Sequence, residues 1–178
     1  LLNAQVNAKA KGAKMRVLLF GCGAIGGVIA ASLVRAGADV TVVTGNRDIS
    51  AAIARRGLSV VELDESQWAI VPPRAPVSSG AELSGSSFDL CLLSTKTTTL
   101  ESAVREALPL LRPGAQLVCL QNGLPEDRVA GFGVAPKRLL GCVVGFGATL
   151  GQSGQSRRTS SGGLTLGRAL PYAGRPAK

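Results

Sequence analysis

The glycines near the start of the chain are spaced in a way that suits a phosphate-bearing ligand. The motif reads Gly21-Cys22-Gly23-Ala24-Ile25-Gly26, which is GxGxxG. In this pattern the first glycine allows a tight turn, the second lets the backbone approach a pyrophosphate, and the third lets a helix pack closely on a strand. The N-terminus of the following helix adds amide donors and the positive end of its dipole. We therefore predict that residues 21–26 bind a dinucleotide, the alternative being a glycine-rich packing turn.

The tip of the next predicted strand decides which dinucleotide binds. About 20 residues after the motif, an NAD site usually offers an Asp or Glu to the ribose 2′-OH. Here the strand ends Val43-Thr44-Gly45-Asn46-Arg47. The Asn46 amide and the Arg47 guanidinium suit a 2′-phosphate, so we predict NADP. Two alternatives stay open: Arg47 is only solvated, or Asp48 binds the ribose rather than capping a helix that starts at Ile49.

Composition excludes several other kinds of site. The chain has no His, which removes Ser-His-Asp triads and His-ligated metals, and only 3% aromatic residues, which argues against a protein that stacks on bases. Cys22, Cys91, Cys119 and Cys142 are widely separated and form no CxxC pair. We expect no metal site and no redox dithiol, but four buried, reduced thiols in a cytoplasmic protein.

The formal charge of +9 is concentrated at the two ends of the chain. Residues 17–127 hold all 11 acids, whereas residues 1–16 and 128–178 carry bases and no acid. Excess charge placed in this way is typical of solvated tails. We therefore expect no nucleic-acid partner.

Three segments follow from these patterns. We expect residues 1–14 to be a disordered leader or tag, residues 15–167 to form one dinucleotide-binding domain, and residues 168–178 to be a basic Pro/Gly-rich tail. The uncharged run Val17–Val34 superficially resembles a signal peptide or membrane span. Its cluster of four glycines argues against both, so we predict no membrane association.

Hydrophobic periodicity predicts strands that alternate with helices. The predicted strands are Met15–Phe20, Asp39–Val43, Phe88–Ser94, Gln116–Leu120 and Leu139–Val144, and the predicted helices are Ala24–Arg35, Ile49–Arg56 and Leu100–Leu111. Leu58–Leu63 and Trp68–Val71 predict a small side pairing around a polar turn. This alternation requires crossover connections, so the predicted fold class is α/β with a Rossmann-like, doubly wound parallel sheet.

Four segments match landmarks of a known family in order and spacing. They are residues 16–27 with the glycine motif, Asp89-Leu-Cys-Leu-Leu-Ser-Thr-Lys96, Leu120-Gln-Asn-Gly-Leu124 and Leu140-Gly-Cys-Val-Val-Gly-Phe-Gly-Ala-Thr149. Over residues 15–167 the chain resembles the N-terminal, NADP-binding domain of the ketopantoate reductases, or 2-dehydropantoate 2-reductases.

The resemblance implies roles for three further residues. Lys96 would contact the cofactor or substrate, Asn122 would hold the nicotinamide ribose and the keto acid, and Gly147 would let the backbone approach the cofactor. The alternatives are a solvated strand end at Lys96, a simple turn at Asn122-Gly123 and close packing at Gly147. We assign no residue as catalytic, although Lys96 and Asn122 are candidate substrate contacts.

The resemblance also implies the reaction. Family members reduce 2-dehydropantoate (ketopantoate) to pantoate with NADPH in pantothenate biosynthesis, using a helical C-terminal domain that supplies a catalytic lysine. We expect that domain to be absent here, which leaves the cofactor-binding half, a small 2-keto acid as partner, and a second copy or a separate C-terminal domain as open alternatives. A non-catalytic NADP-binding module, a fragment of a related 2-keto acid reductase, and a basic interaction protein are the competing interpretations.

Overall fold

A six-stranded sheet forms the centre of the computed structural model, which describes residues 14–123, 125–151 and 155–168. Its strands are β1 (Arg16–Phe20), β2 (Asp39–Val43), β5 (Phe88–Leu93), β6 (Leu111–Cys119), β7 (Leu139–Val144) and β10 (Leu164–Arg168). They lie in the order β10-β7-β6-β5-β1-β2. The strands β1, β2, β5, β6 and β7 are mutually parallel, which confirms the predicted fold class. Strand β10 joins the edge of this sheet antiparallel to β7.

A second, four-stranded sheet completes the strand inventory of the described residues. It contains β3 (Leu58–Val61), β4 (Gln67–Ile70), β8 (Ala148–Leu150) and β9 (Gln155–Arg158), in the order β4-β3-β9-β8. The predicted pairing of β3 with β4 is confirmed. Strands β8, β9 and β10 were not predicted, because the polar sequence Gln155-Ser-Arg-Arg158 and the short glycine-rich segments around it lack an apolar run.

Within the described residues, four α-helices connect the strands: α1 (Ala24–Arg35), α2 (Arg47–Arg56), α3 (Leu100–Ala107) and α4 (Glu126–Ala130). Helix α1 packs against both sheets, with contacts to β1 and β2 on one side and to β3, β8 and β9 on the other. Its middle, from Gly26 to Ala31, is buried without interruption. A helix covered on two sides is apolar nearly all round, which accounts for the uncharged run Val17–Val34. No helix of the described residues is long and apolar enough to cross a bilayer.

The largest boundary errors were of four and five residues, at the end of one helix and the start of one strand. The helix predicted at Leu100–Leu111 ends at Ala107, because Pro109 has no N–H to continue it, and a 3-10 turn leads directly into β6. The strand predicted from Gln116 begins at Leu111, although the regular pairing with β5 starts at Gln116 after a register shift. The predicted leader and tail lie outside the described residues, apart from Lys14 and Arg168, and Arg168 is the last residue of β10.

Alternating side chains of the central sheet build two cores. Val17 and Leu19 face α1 and the second sheet, whereas Leu18 and Phe20 face the layer that contains α3. All four are 3% exposed or less. Burial on both faces is typical of parallel sheets, and it leaves the strand ends as the places where polar side chains reach solvent.

Candidate functional site

A cavity of about 420 Å³ opens at the carboxyl ends of the parallel strands. It lies where the first turn of α1 meets the loops that follow β5, β6 and β7, which is the edge where open α/β sheets bind ligands. Its lining consists of Ile25, Ser94, Thr95, Lys96, Thr97, Leu120, Gln121, Asn122, Val144 and Phe146.

Two glycines of the motif hold α1 against the end of β5. Gly21 has a φ of +90°, and a Cβ there would lie 2.8 Å from the backbone of Ser94 and Thr95. A Cβ on Gly26 would overlap the carbonyl oxygen of Gly21. No side chain fits at either position without moving backbone, so both glycines are required by packing.

Gly23 differs from both of these glycines. It directly precedes α1, it is exposed, and a Cβ added to it would meet no atom of the described residues within 4 Å. The first turn of α1 carries no acidic side chain, so the positive end of the helix dipole and its free amides face this open space. The arrangement fits a pyrophosphate, which would occupy the space that a side chain at Gly23 would take.

Cys22, Ala24 and Ile25 take part in different ways. The Cys22 side chain is 4% exposed and packs into the core, and burial raises the pKa of its thiol to about 12. Only its backbone is therefore available to a ligand. Ala24 is half-buried in the first turn of α1, and Ile25 contributes an apolar side chain to the cavity.

Asn46 and Arg47 lie at the tip of β2, outside the cavity lining, and both are exposed. The Asn46 side-chain oxygen accepts hydrogen bonds from the backbone N–H groups of Asp48 and Ile49 at 3.0 and 3.1 Å. Asn46 is thus the N-cap of α2 and Arg47 its first residue, so the predicted helix start at Ile49, with Asp48 as the cap, was wrong. The cap leaves the Asn46 amide nitrogen and the Arg47 guanidinium as donors at this tip.

Lys96 and Asn122 come together although 26 residues separate them. Lys96 follows β5, Asn122 follows β6, and both line the cavity with exposed side chains. Gly123, with a φ of +91°, lets the chain turn away directly after Asn122. Among the described lining residues, Lys96 carries the one ionisable side chain.

Gly147 lies apart from this group. A Cβ on Gly147 would come within 2.5 Å of the Thr159 hydroxyl, and its N–H donates to the Ser160 hydroxyl at 2.7 Å. Close packing against these two residues accounts for a glycine here. Its approach to a cofactor stays a prediction.

Several lining residues were missed by the sequence analysis. Gln121 donates from Nε2 to the Thr95 carbonyl oxygen at 3.1 Å, which joins the loops after β6 and β5. Phe146 closes the apolar wall, and the Arg158 guanidinium lies 4.7 Å from its ring centre. The available signal was the position of Thr95 and Gln121, directly after buried strands and directly before Lys96 and Asn122. Among the described residues, no group of three or more His, Cys, Asp or Glu could hold a metal ion.

Comparison with known proteins decides the family. A family model described as "Ketopantoate reductase PanE/ApbA" matches residues 17–171. The chain belongs to the ketopantoate reductase family. The 2-dehydropantoate 2-reductase of Mesorhizobium japonicum is 32% identical over 151 residues, which cover 73% of this chain and 44% of the relative.

Solved structures agree on the fold of this ketopantoate reductase chain. The 2-dehydropantoate 2-reductase of Geobacter metallireducens GS-15 matches with a TM-score of 0.76 at 27% identity, over 90% of this chain and 51% of the other. D-mandelate dehydrogenase, solved as a ternary structure with NADH and anilino(oxo)acetate, matches with a TM-score of 0.74 at 22% identity, over 85% of this chain and 48% of the other. The latter likeness concerns the fold alone. The chain spans about half the length of these relatives.

The family landmarks converge in space. The loop after β1 with the glycine motif, residues 94–97 after β5, residues 120–122 after β6 and residues 144–146 after β7 all meet at the strand ends. Because parallel strands end at one edge of a sheet, segments far apart in a ketopantoate reductase sequence form one surface.

Proposed function

We propose that this chain is the NADP-binding part of a 2-dehydropantoate 2-reductase, an oxidoreductase that reduces 2-dehydropantoate to pantoate with NADPH in pantothenate biosynthesis. The observation that carries the proposal is the open space in front of Gly23 at the α1 N-terminus, on the same sheet edge as the cavity. Family membership supports the reaction class.

The three parts of the cofactor would meet different residues. The pyrophosphate lies against Gly23 and the first-turn amides of α1. The adenosine 2′-phosphate would bind at the tip of β2. There the Asn46 amide nitrogen and the Arg47 guanidinium are donors that the helix cap does not use. The nicotinamide end enters the cavity lined by Lys96 and Asn122.

Bound NADPH would supply the hydride for the 2-keto carbon. Around that carbon the chain's own groups bind and orient. Lys96 places a positive charge beside the oxygen on which negative charge develops, and the Asn122 amide holds the ribose and the keto acid. The apolar wall of Ile25, Val144 and Phe146 limits the access of water to one side of the cavity.

We further propose a cytoplasmic location. All four cysteines are free and buried, which supports the expectation of reduced thiols. Buried free thiols without a disulfide are typical of proteins from reducing compartments.

Cofactor preference tests the proposal. Titration should show that NADPH binds more tightly than NADH, and Arg47→Ala should remove most of that preference, an effect of about 10- to 100-fold for a charge-assisted hydrogen bond. Arg55→Ala is the matched control, because Arg55 is an exposed arginine at the other end of α2 and its loss should leave the preference intact.

Two outcomes would contradict this assignment. Equal affinities for NADPH and NADH in the parent chain would mean that the chain has a dinucleotide site with no preference for NADP. Preference that survives Arg47→Ala would mean that other groups bind the 2′-phosphate.

A further inference from the structure

The connection between the ends of β5 and β6 continues past the sheet through a side chain. The last backbone bond at this point runs from the Leu120 N–H to the Leu93 carbonyl oxygen at 3.0 Å. Beyond it, Gln121 donates from Nε2 to the Thr95 carbonyl oxygen at 3.1 Å. Gln121 immediately precedes Asn122 and Thr95 immediately precedes Lys96. One hydrogen bond thus joins the two loops directly before their candidate ligand-binding residues.

The surroundings of this hydrogen bond lower the stability of the fold. The Gln121 Oε1 atom and the Thr95 Oγ1 atom are both buried and have no hydrogen-bond partner among the described residues. Buried polar atoms without partners destabilise a fold. If Gln121 only filled space, an apolar side chain of the same length would do so without that cost. A functional requirement therefore accounts better for a glutamine at this position.

The loop that carries Lys96 is also held from its other side. Arg128, on α4, donates to the Thr97 carbonyl oxygen at 3.4 Å and forms an ion pair with Glu101 at 2.8 Å. The backbone around Lys96 is therefore tied to the segments before and after Asn122. The side chains of Lys96 and Asn122 are exposed. These hydrogen bonds therefore fix the distance between the two backbones and do not fix the side-chain rotamers.

We propose that Gln121 is a positioning residue that sets the spacing of Lys96 and Asn122 and so orients the nicotinamide end of the bound cofactor. The inference rests on the proposed function, because it assumes that a dinucleotide occupies this edge of the sheet. Gln121 acts through the Thr95 carbonyl and needs no contact with the ligand. Its loss should weaken the binding of the nicotinamide half of the dinucleotide and leave the binding of the adenosine half unchanged.

The test compares a whole dinucleotide with its adenosine half. We would measure the affinity of the full 178-residue chain for NADPH and for 2′,5′-ADP, which lacks the nicotinamide end; if NADH binds better, NADH and 5′-AMP replace them. Gln121→Met keeps the side-chain length and removes both polar atoms, and Gln121→Glu keeps the shape and removes the donor. Gln116→Met is the matched control, because Gln116 is half-buried like Gln121 but lies on β6, outside the cavity lining.

If Gln121 positions the nicotinamide end, its loss should change the affinity for NADPH and not the affinity for 2′,5′-ADP. Both Gln121 variants should bind NADPH about two- to tenfold more weakly, the effect of one hydrogen bond, while the chain stays folded and its 2′,5′-ADP affinity is unchanged. Unchanged NADPH affinity would overturn the proposal, and so would an equal loss for both probes or the unfolding of both variants, since each would indicate a structural role. Failure of the parent chain to bind any dinucleotide or adenosine half would instead overturn the proposed function.

Discussion

The glycines of the motif have distinct physical roles at the level of single residues. Gly21 and Gly26 are required because a Cβ would collide with backbone, whereas Gly23 faces empty space. A collision with backbone cannot be relieved by a side-chain rotation. Substitutions at these positions should therefore affect different properties of the protein.

Gly23→Val should abolish measurable NADPH binding and leave the fold intact. The valine side chain would enter the space where the pyrophosphate is proposed to lie, and the Gly23 φ of −76° is one that valine adopts readily. Calorimetric titration measures the binding, and circular dichroism checks the fold. Gly26→Ala is the contrasting variant and should lower the melting temperature. A folded Gly23→Val protein with normal affinity would mean that the phosphates bind elsewhere.

The four thiols should be unreactive in the folded chain. Burial raises the pKa of the Cys22 and Cys119 thiols to about 12 and also raises that of Cys142, so little thiolate is present at pH 8. Alkylation followed by mass spectrometry should be slow in the native protein and fast in denaturant. Because the folded pKa values are raised, the free energy of unfolding should fall as pH increases above the ordinary thiol pKa, where only the unfolded chain loses protons. Rapid native labelling would show that a thiol is accessible.

At the scale of elements, α1 is the part on which the site depends most. It begins at the glycine motif and is enclosed between the two sheets. Gly27 makes the close approach to the second sheet, because a Cβ there would overlap the hydroxyl of Ser156, a residue of β9 that is 2% exposed. The second sheet thus packs on one side of α1 and holds the helix, with its N-terminus, against the central strands.

Gly27→Val should destabilise the protein by about 1–3 kcal/mol through overpacking between α1 and β9. Ser32→Val is the matched control, because Ser32 lies on the same helix but is exposed. Urea unfolding of both variants measures the difference. Equal stability of the two variants would indicate that β9 moves aside freely and that the second sheet does not hold α1 in place.

At the scale of the whole molecule, the cavity is open towards solvent and has few groups for chemistry. Lys96 and Asn122 are exposed, and Lys96 is the one ionisable group among the described lining residues. Hydride transfer to a ketone also needs a positioned acid, which is typically worth about 10²- to 10⁴-fold in rate. The proposed function expects that acid to come from a C-terminal domain, as the family resemblance implies.

The 178-residue chain by itself should therefore bind NADPH but reduce 2-dehydropantoate slowly or not at all. NADPH oxidation followed at saturating 2-dehydropantoate measures this. Turnover of about 1–10³ per second, the ordinary range for enzymes, would mean that Lys96 or another group of this chain supplies the acid.

Local patterns in the sequence determined the parallel strands, α1 and the glycine motif. Buried strands, an Ala-rich helix and GxGxxG are encoded within short windows, so Val17 to Arg35 predicts its own structure without the rest of the chain. The ends of α3 and β6 were harder to place, because Pro109 and a register shift act against the hydrophobic pattern there.

Tertiary structure alone decided that β8 and β9 extend the β3–β4 pair into a sheet, that β10 joins the edge of the central sheet, and which residues line the cavity. The polar strand β9 is stabilised by pairing with β3, which lies almost 100 residues earlier in the chain, and no local window contains that pairing. The hydrogen bond from Gln121 to Thr95 likewise spans 26 residues. Contacts of this kind depend on which strands become neighbours, and that order is set by packing of the whole sheet rather than by any one segment.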